Sequence, residues 1–215
     1  MVEGLRHVTC ASPETQLPMR FSFVRHRRPT ASDSVLWRGR FGIGTGRRIE
    51  LNLHLFFVLT LVAVTWLLAL AFFPRFFPGW EPAAYWFVAV AVAVFDSVAG
   101  LLHELGHAVV ALAKGRRVYR ITLYGLAAAA RRSGGPSRPR EQVAISVAGP
   151  LSHLLIASLL YTAWSMLPTD NEPLRVAAGF PAFSNFTLGI LNLVPVSPLD
   201  GGRAARALIA AIFRV

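Results

Sequence analysis

Over most of its length this chain does not alternate between apolar and polar positions. It runs apolar, stops at a short polar break, and runs apolar again. Four such runs are legible: Leu51–Phe73, Ala83–Ala113, Val143–Leu167 and Val176–Pro195. About 20 apolar residues make a helix long enough to cross a bilayer, so each run predicts a spanning helix. The fourth is the weakest, because it carries Asn185 and Asn192. Short loops, FPRFFPGWEP and LPTDNEP, follow the first and third runs, and a basic stretch, 114–142, follows the second. Within that stretch Val118–Tyr124 alternates and is rich in β-branched residues, which predicts one short strand. A strand cannot lie unpaired in lipid, so it should pair at the membrane surface with a neighbouring strand or an extended substrate. Pro195 and Pro198 end the fourth run by removing backbone donors, and Gly201-Gly202 predicts a tight turn. The tail 204–213 is too short to cross and predicts an interfacial segment. The expected fold class is an all-α polytopic membrane protein with about four transmembrane helices and a small membrane-associated β element on the cytoplasmic side.

Composition agrees with this picture. Hydrophobic residues make up 54% of the 215 and charged residues 15%, against about 25% charged in an ordinary soluble domain. The single cysteine, Cys10, excludes an internal disulfide framework and a CxxC metal site. The formal charge of +11 could suggest nucleic acid, but its distribution argues otherwise. Of 22 Lys and Arg, 20 fall in residues 1–50, 114–140 and 201–215; the two remaining loops hold only Arg75 and Arg175. The positive-inside rule therefore places both termini and the 114–142 segment in the cytoplasm. The charge is a topology signal and a contact for anionic lipid, and no nucleic-acid motif accompanies it. Residues 1–48, Arg-rich and without a signal-peptide core, are expected to be a disordered cytoplasmic segment, and 49–215 the membrane domain. The aromatic residues between Phe72 and Trp86 are expected to form a belt at the outer interface.

Candidate chemistry is concentrated at 103–107, HELGH, inside the second run. His103 and His107 share one helical face and can hold one metal ion; Glu104 stands beside them as a base. Ionisable groups at membrane depth are costly and usually functional. A catalytic zinc takes three protein ligands and one open position. Candidates for the third are Asp200, Asp96, His54 and His153. Asp200 fits best: the second and fourth runs both head toward the cytoplasm, which places HELGH and Asp200 at similar depth. Asp96 shares the histidine face but lies about 10 Å up the helix, too far for the same ion. His54 and His153 could instead sit behind the ligands as hydrogen-bonding groups, or simply pack. Gly149-Pro150 would allow close helix packing and a kink. The chemistry expected is peptide hydrolysis in a cavity open to cytoplasmic water, with one Zn2+ ion.

Joined to these residues, four strings carry a family resemblance: HELGHAVVALAKG, RITLYG, VAGPLSH and NLVPVSPLDGGR, in that order. The chain resembles the site-2 proteases, intramembrane zinc metalloproteases, in their compact bacterial and archaeal form without an attached regulatory domain. The resemblance covers about Leu51–Arg206. It implies His103, His107 and Asp200 as ligands, Glu104 as base, and Asn192 as a residue that orients substrate or binds the oxyanion. Taken without the resemblance, Asn192 reads equally well as an interhelical hydrogen bond. The implied substrate is a membrane-spanning segment of another protein, cut in regulated proteolysis at a bacterial or archaeal cell membrane. Two departures stand out: GLAAAA where the family often has Gly-Gly, and His153 where it usually has Asn. The competing reading is a membrane metal transporter or metal-sensing protein with the same His and Asp residues, and Glu104 separates the two, since a transport site needs no base between its histidines.

Overall fold

A computed structural model describes residues 35–43, 47–124, 127–133 and 138–213. Four helical segments among them are long and apolar enough to cross a membrane: Leu55–Phe76, Pro82–Ala113, Pro139–Met166 and Glu172–Leu193. Each overlaps the corresponding apolar run of the sequence. The first consists of α1 (Leu55–Leu67), a π-helical turn at Leu68–Phe72 and α2 (Phe73–Phe76). α1 is apolar all round and buries none of its 13 residues against protein, which is the pattern of a helix facing lipid. The remaining spans are α3 (Pro82–Ala113), α4 (Pro139–Met166) and α5 (Glu172–Leu193). A fifth segment, α6 (Asp200–Phe213), has 14 residues, roughly 21 Å at 1.5 Å per residue, too short to cross.

Four strands form one sheet in the order β1-β2-β3-β4: β1 (Val35–Ile43), β2 (Arg47–His54), β3 (Arg117–Tyr124) and β4 (Ala127–Ser133). β1–β2 and β3–β4 are antiparallel, and β2–β3 is parallel, with Glu50 opposite Arg120 and Leu53 opposite Leu123. A parallel pair needs a crossover, and here the crossover is a membrane hairpin. β2 runs directly into α1, the chain crosses and returns through α3, and β3 begins at the face where β2 ended. The sheet corrects two expectations. Residues 35–43 and 47–54 are strands, whereas a segment without structure was expected up to residue 48; residues 1–34 lie outside the described ones. The element expected as one strand, Val118–Tyr124, has strands on both sides, and β4 uses the alanine-rich stretch that carries no β-branched signal.

Two clusters hold α3 in place, one near each end. Toward its C-terminus, Ala108 and Ala111 pack with Ile121 of β3 and Ile145 of α4. Toward its N-terminus, Val88, Ala89 and Val92 pack with Ala69, Phe73 and Ala177. The rings expected as an interfacial belt join this second core. Phe73 is fully buried, Phe77 stacks on Trp80 with ring centres 5.0 Å apart, and the Tyr85 hydroxyl donates to the Phe77 carbonyl at 2.8 Å. Phe76 is 63% exposed.

Small residues set how closely the spans approach. A Cβ on Gly106 of α3 would strike the Ser152 hydroxyl and lie 2.8 Å from the Ala148 carbonyl of α4. Gly201 and Gly202 do not make a turn: they occupy the first turn of α6, packed against the backbone of residues 193–197 so closely that no Cβ fits. Gly106→Leu should force α3 from α4 and lower stability by about 1–3 kcal/mol, the usual cost of overpacking. A denaturant titration in mixed micelles measures it.

Candidate metal centre

The two halves of the site come from helices that the sequence keeps far apart. One turn of α3 separates His103 from His107, which brings their Nε2 atoms to 3.2 Å with the rings perpendicular. Pro195 and Pro198 stop helix propagation after α5, and the chain re-enters helix at Asp200, where an acidic side chain suits the N-terminal end of α6. Asp200 Oδ2 lies 3.0 Å from His103 Nε2 and 3.1 Å from His107 Nε2. His107 and Asp200 are buried and His103 is 9% exposed.

Proton placement follows from the partners. His107 Nδ1 is 2.6 Å from the Ile145 carbonyl, which can only accept, so Nδ1 donates and Nε2 presents a lone pair. That lone pair faces a carboxylate oxygen. The Arg203 guanidinium holds the other oxygen, Oδ1, leaving Oδ2 for the histidines. Lone pairs facing each other at this distance repel unless a proton or a cation stands between them. The donor set suits zinc: tetrahedral ligands at about 2.0–2.1 Å stand roughly 3.3 Å apart, close to the observed triangle of 3.0–3.2 Å. Space is left by Gly149 of α4, where a Cβ would collide with His107 Nε2 and come within 2.7 Å of His103 Nε2. His103, His107 and Asp200 thus form a group able to hold a metal ion, and the residues fit zinc.

A cavity of about 460 Å³ opens beside this group, lined among others by Asp96, His103, Glu104, His153, Asn192 and Asp200. Glu104, Asn192 and Asp200 therefore share one space. Asn192 commits one amide hydrogen to the Leu188 carbonyl of its own helix at 2.9 Å, rather than to another helix. His153 is buried, with its ring centre 4.8 Å from that of His103. His54 goes elsewhere: its Nδ1 caps α1 by accepting from the Phe56 amide at 3.1 Å, and its ring packs on Tyr124. The expectation of His54 behind the metal ligands is corrected accordingly, because entering the same membrane face does not place a residue at the same point of the bundle. Three polar residues without a role in the expected site, Ser184, Asn185 and Arg203, are joined to it by hydrogen bonds. Asn185 was visible only as a polar interruption of the fourth run, and Arg203 only as the residue after Asp-Gly-Gly. A larger cleft of about 1030 Å³ between α4 and α5 is lined by one carboxylate, Glu172, and no histidine.

Known proteins resemble this chain in sequence and fold. Residues 82–179 match the family described as Peptidase M50B-like, and 169–215 match Peptidase family M50. A candidate zinc metalloprotease of Mycobacterium tuberculosis, Rip3, is 32% identical over 160 residues, 74% of this chain and 40% of its own length. A zinc metalloprotease of Methanocaldococcus jannaschii is 29% identical over 75% of this chain and 43% of its own length. A solved structure, the site-2 protease from Methanocaldococcus jannaschii, superimposes with a TM-score of 0.54 at 25% identity, covering 81% of this chain and 73% of that one. The chain spans about two fifths of the length of the curated relatives it matches.

Gly149→Ala places a methyl group where the metal would sit and should reduce bound zinc at least tenfold. Gly100→Ala, whose added methyl meets nothing within 4 Å, should leave it unchanged. Metal analysis of the purified, dialysed proteins decides.

Proposed function

Because the chain belongs to the M50 peptidases, the family of the site-2 proteases, we propose that it is an intramembrane zinc endopeptidase that cuts a membrane-spanning segment of another protein. The observation that carries this reading is the convergence of His103, His107 and Asp200 beside a cavity that Glu104 also lines. Zinc held by these three would supply a Lewis acid for the scissile carbonyl and for the attacking water. Glu104 takes the proton of that water and returns it to the leaving amine. Asn192, on the wall of the same cavity, orients the substrate backbone or meets the oxygen that gains charge. Arg203 keeps Asp200 turned toward the histidines. A base between two metal histidines has no use in transport, and its place on the cavity wall favours hydrolysis over the metal-transport reading.

The distribution of Lys and Arg supports an orientation with both termini, the sheet and the metal centre toward the cytoplasm. The cavity would then fill from cytoplasmic water. A helical substrate hides its carbonyls in its own hydrogen bonds, so the cut segment must be extended when it reaches the zinc. The setting we infer is regulated proteolysis in a bacterial or archaeal cell membrane.

Glu104→Gln should keep zinc and lose cleavage of a transmembrane substrate by about 10²–10⁴-fold, the usual worth of a general base; cleavage at the wild-type rate would refute the mechanism. A compartment-sensitive reporter inserted at residues 168–171 should report the outer side, and one fused after Val215 the cytoplasm. The opposite pattern would overturn the orientation while leaving the chemistry intact.

A further inference from the structure

The two metal histidines are not held alike. His107 is fixed by its hydrogen bond to the Ile145 carbonyl. The Nδ1 of His103 is buried and has no hydrogen-bond partner among the described residues. A metal-binding imidazole ordinarily donates its second nitrogen to a carboxylate, carbonyl or water, which fixes the ring. The group packed on the His103 ring is His153, tilted 48° with ring centres 4.8 Å apart.

His153 is itself the end of a hydrogen-bonded chain. Its Nδ1 lies 2.7 Å from Asn185 Oδ1 on α5. The Asn185 amide nitrogen lies 2.8 Å from the Pro181 carbonyl and 2.9 Å from Asp96 Oδ1 on α3. The Pro181 carbonyl can only accept, so the amide nitrogen must face it and Oδ1 must face His153. His153 therefore donates through Nδ1, and its neutral ring keeps Nε2 unprotonated. Ser184 adds a second hydrogen bond to Asp96 Oδ1, at 2.8 Å. Asn185 is fully buried and His153 is 5% exposed. A buried polar network specifies one geometry when its members are satisfied, and this one links three spans and ends on the ring packed against His103.

We propose that Asp96, Asn185 and His153 form a positioning chain for His103. Asp96 and Asn185 set the orientation of His153, and His153 sets that of the metal ligand by ring contact. The proposal rests on the metal-centre reading above, and the two can fail separately. Asn185→Leu breaks the chain at its middle, His153→Ala removes the ring, Asp96→Asn keeps an acceptor for Asn185, and Ser184→Ala leaves all three members in place.

The experiment uses the full chain in detergent micelles and reads zinc affinity by chelator competition, together with the visible spectrum of the Co2+-loaded protein. Asn185→Leu and His153→Ala should weaken zinc binding by roughly 10–100-fold and alter the Co2+ bands, with kcat lowered more than KM is raised. Asp96→Asn and Ser184→Ala should stay near wild type in both metal readouts. If Asn185→Leu does not assemble, Asn185→Ala removes the same amide without adding bulk. Wild-type spectra and affinities in the chain-breaking variants would overturn the proposal. A wild-type protein that binds neither metal would instead overturn the metal-centre reading.

Discussion

Three lone-pair donors aimed at one point inside a membrane protein are the constraint around which the rest is arranged. Bringing a carboxylate and two imidazoles to within 3.0–3.2 Å of one another, almost closed to solvent, is unfavourable without a compensating positive charge. The structure meets that demand with geometry: a glycine where the ion needs room, a carbonyl and an arginine that turn two of the donors inward, and helices close enough to bring α6 against α3. Each element near the centre serves this arrangement; α1 lends Phe57, Leu61 and Val64 to the cavity wall and leaves its other faces to the lipid.

The parts of the fold that follow from solvent were legible in the chain. A helix must be apolar for as long as it is in hydrocarbon, so the spans are written as unbroken runs and their ends fall within a few residues of the observed ones. HELGH was legible because its spacing acts within one helix, and Asp200 because topology restricts depth. The sheet was largely illegible. β2 pairs with β3, a partner that arrives only after two membrane crossings, and β1 pairs with β2; their many arginines read as a solvated tail. β4 is alanine and arginine, with little intrinsic preference for extended backbone; its partner supplies the reason to be a strand. Contacts of this kind belong to tertiary context, which overrides local propensity.

The same limit applies to the site. Depth placed His54 and His153 on equal terms, because sequence gives position along the membrane normal but not around the bundle axis. Rotation about that axis separates them: His153 faces α3 beside His103, while His54 caps the helix it precedes. Asn185 and Ser184 were visible only as polar residues in an apolar run. Their partner, Asp96, stands out in the sequence only as a carboxylate too far along its helix to share the histidines' ion. Groups that satisfy each other across three helices carry no local spacing, so no motif announces them.

The parallel pairing of β2 with β3 has a mechanical meaning. Because β2 runs straight into the first span and β3 follows the second after a short break, the sheet and the two spans close a loop. The strands act as a crossbar that fixes the separation of the spans at one end, while the aromatic cluster fixes it at the other. Sliding one span past the other would shear four register pairs at once. The strand that closes this loop follows the same helix that carries the two histidines, so the sheet and the metal centre share one continuous stretch of chain.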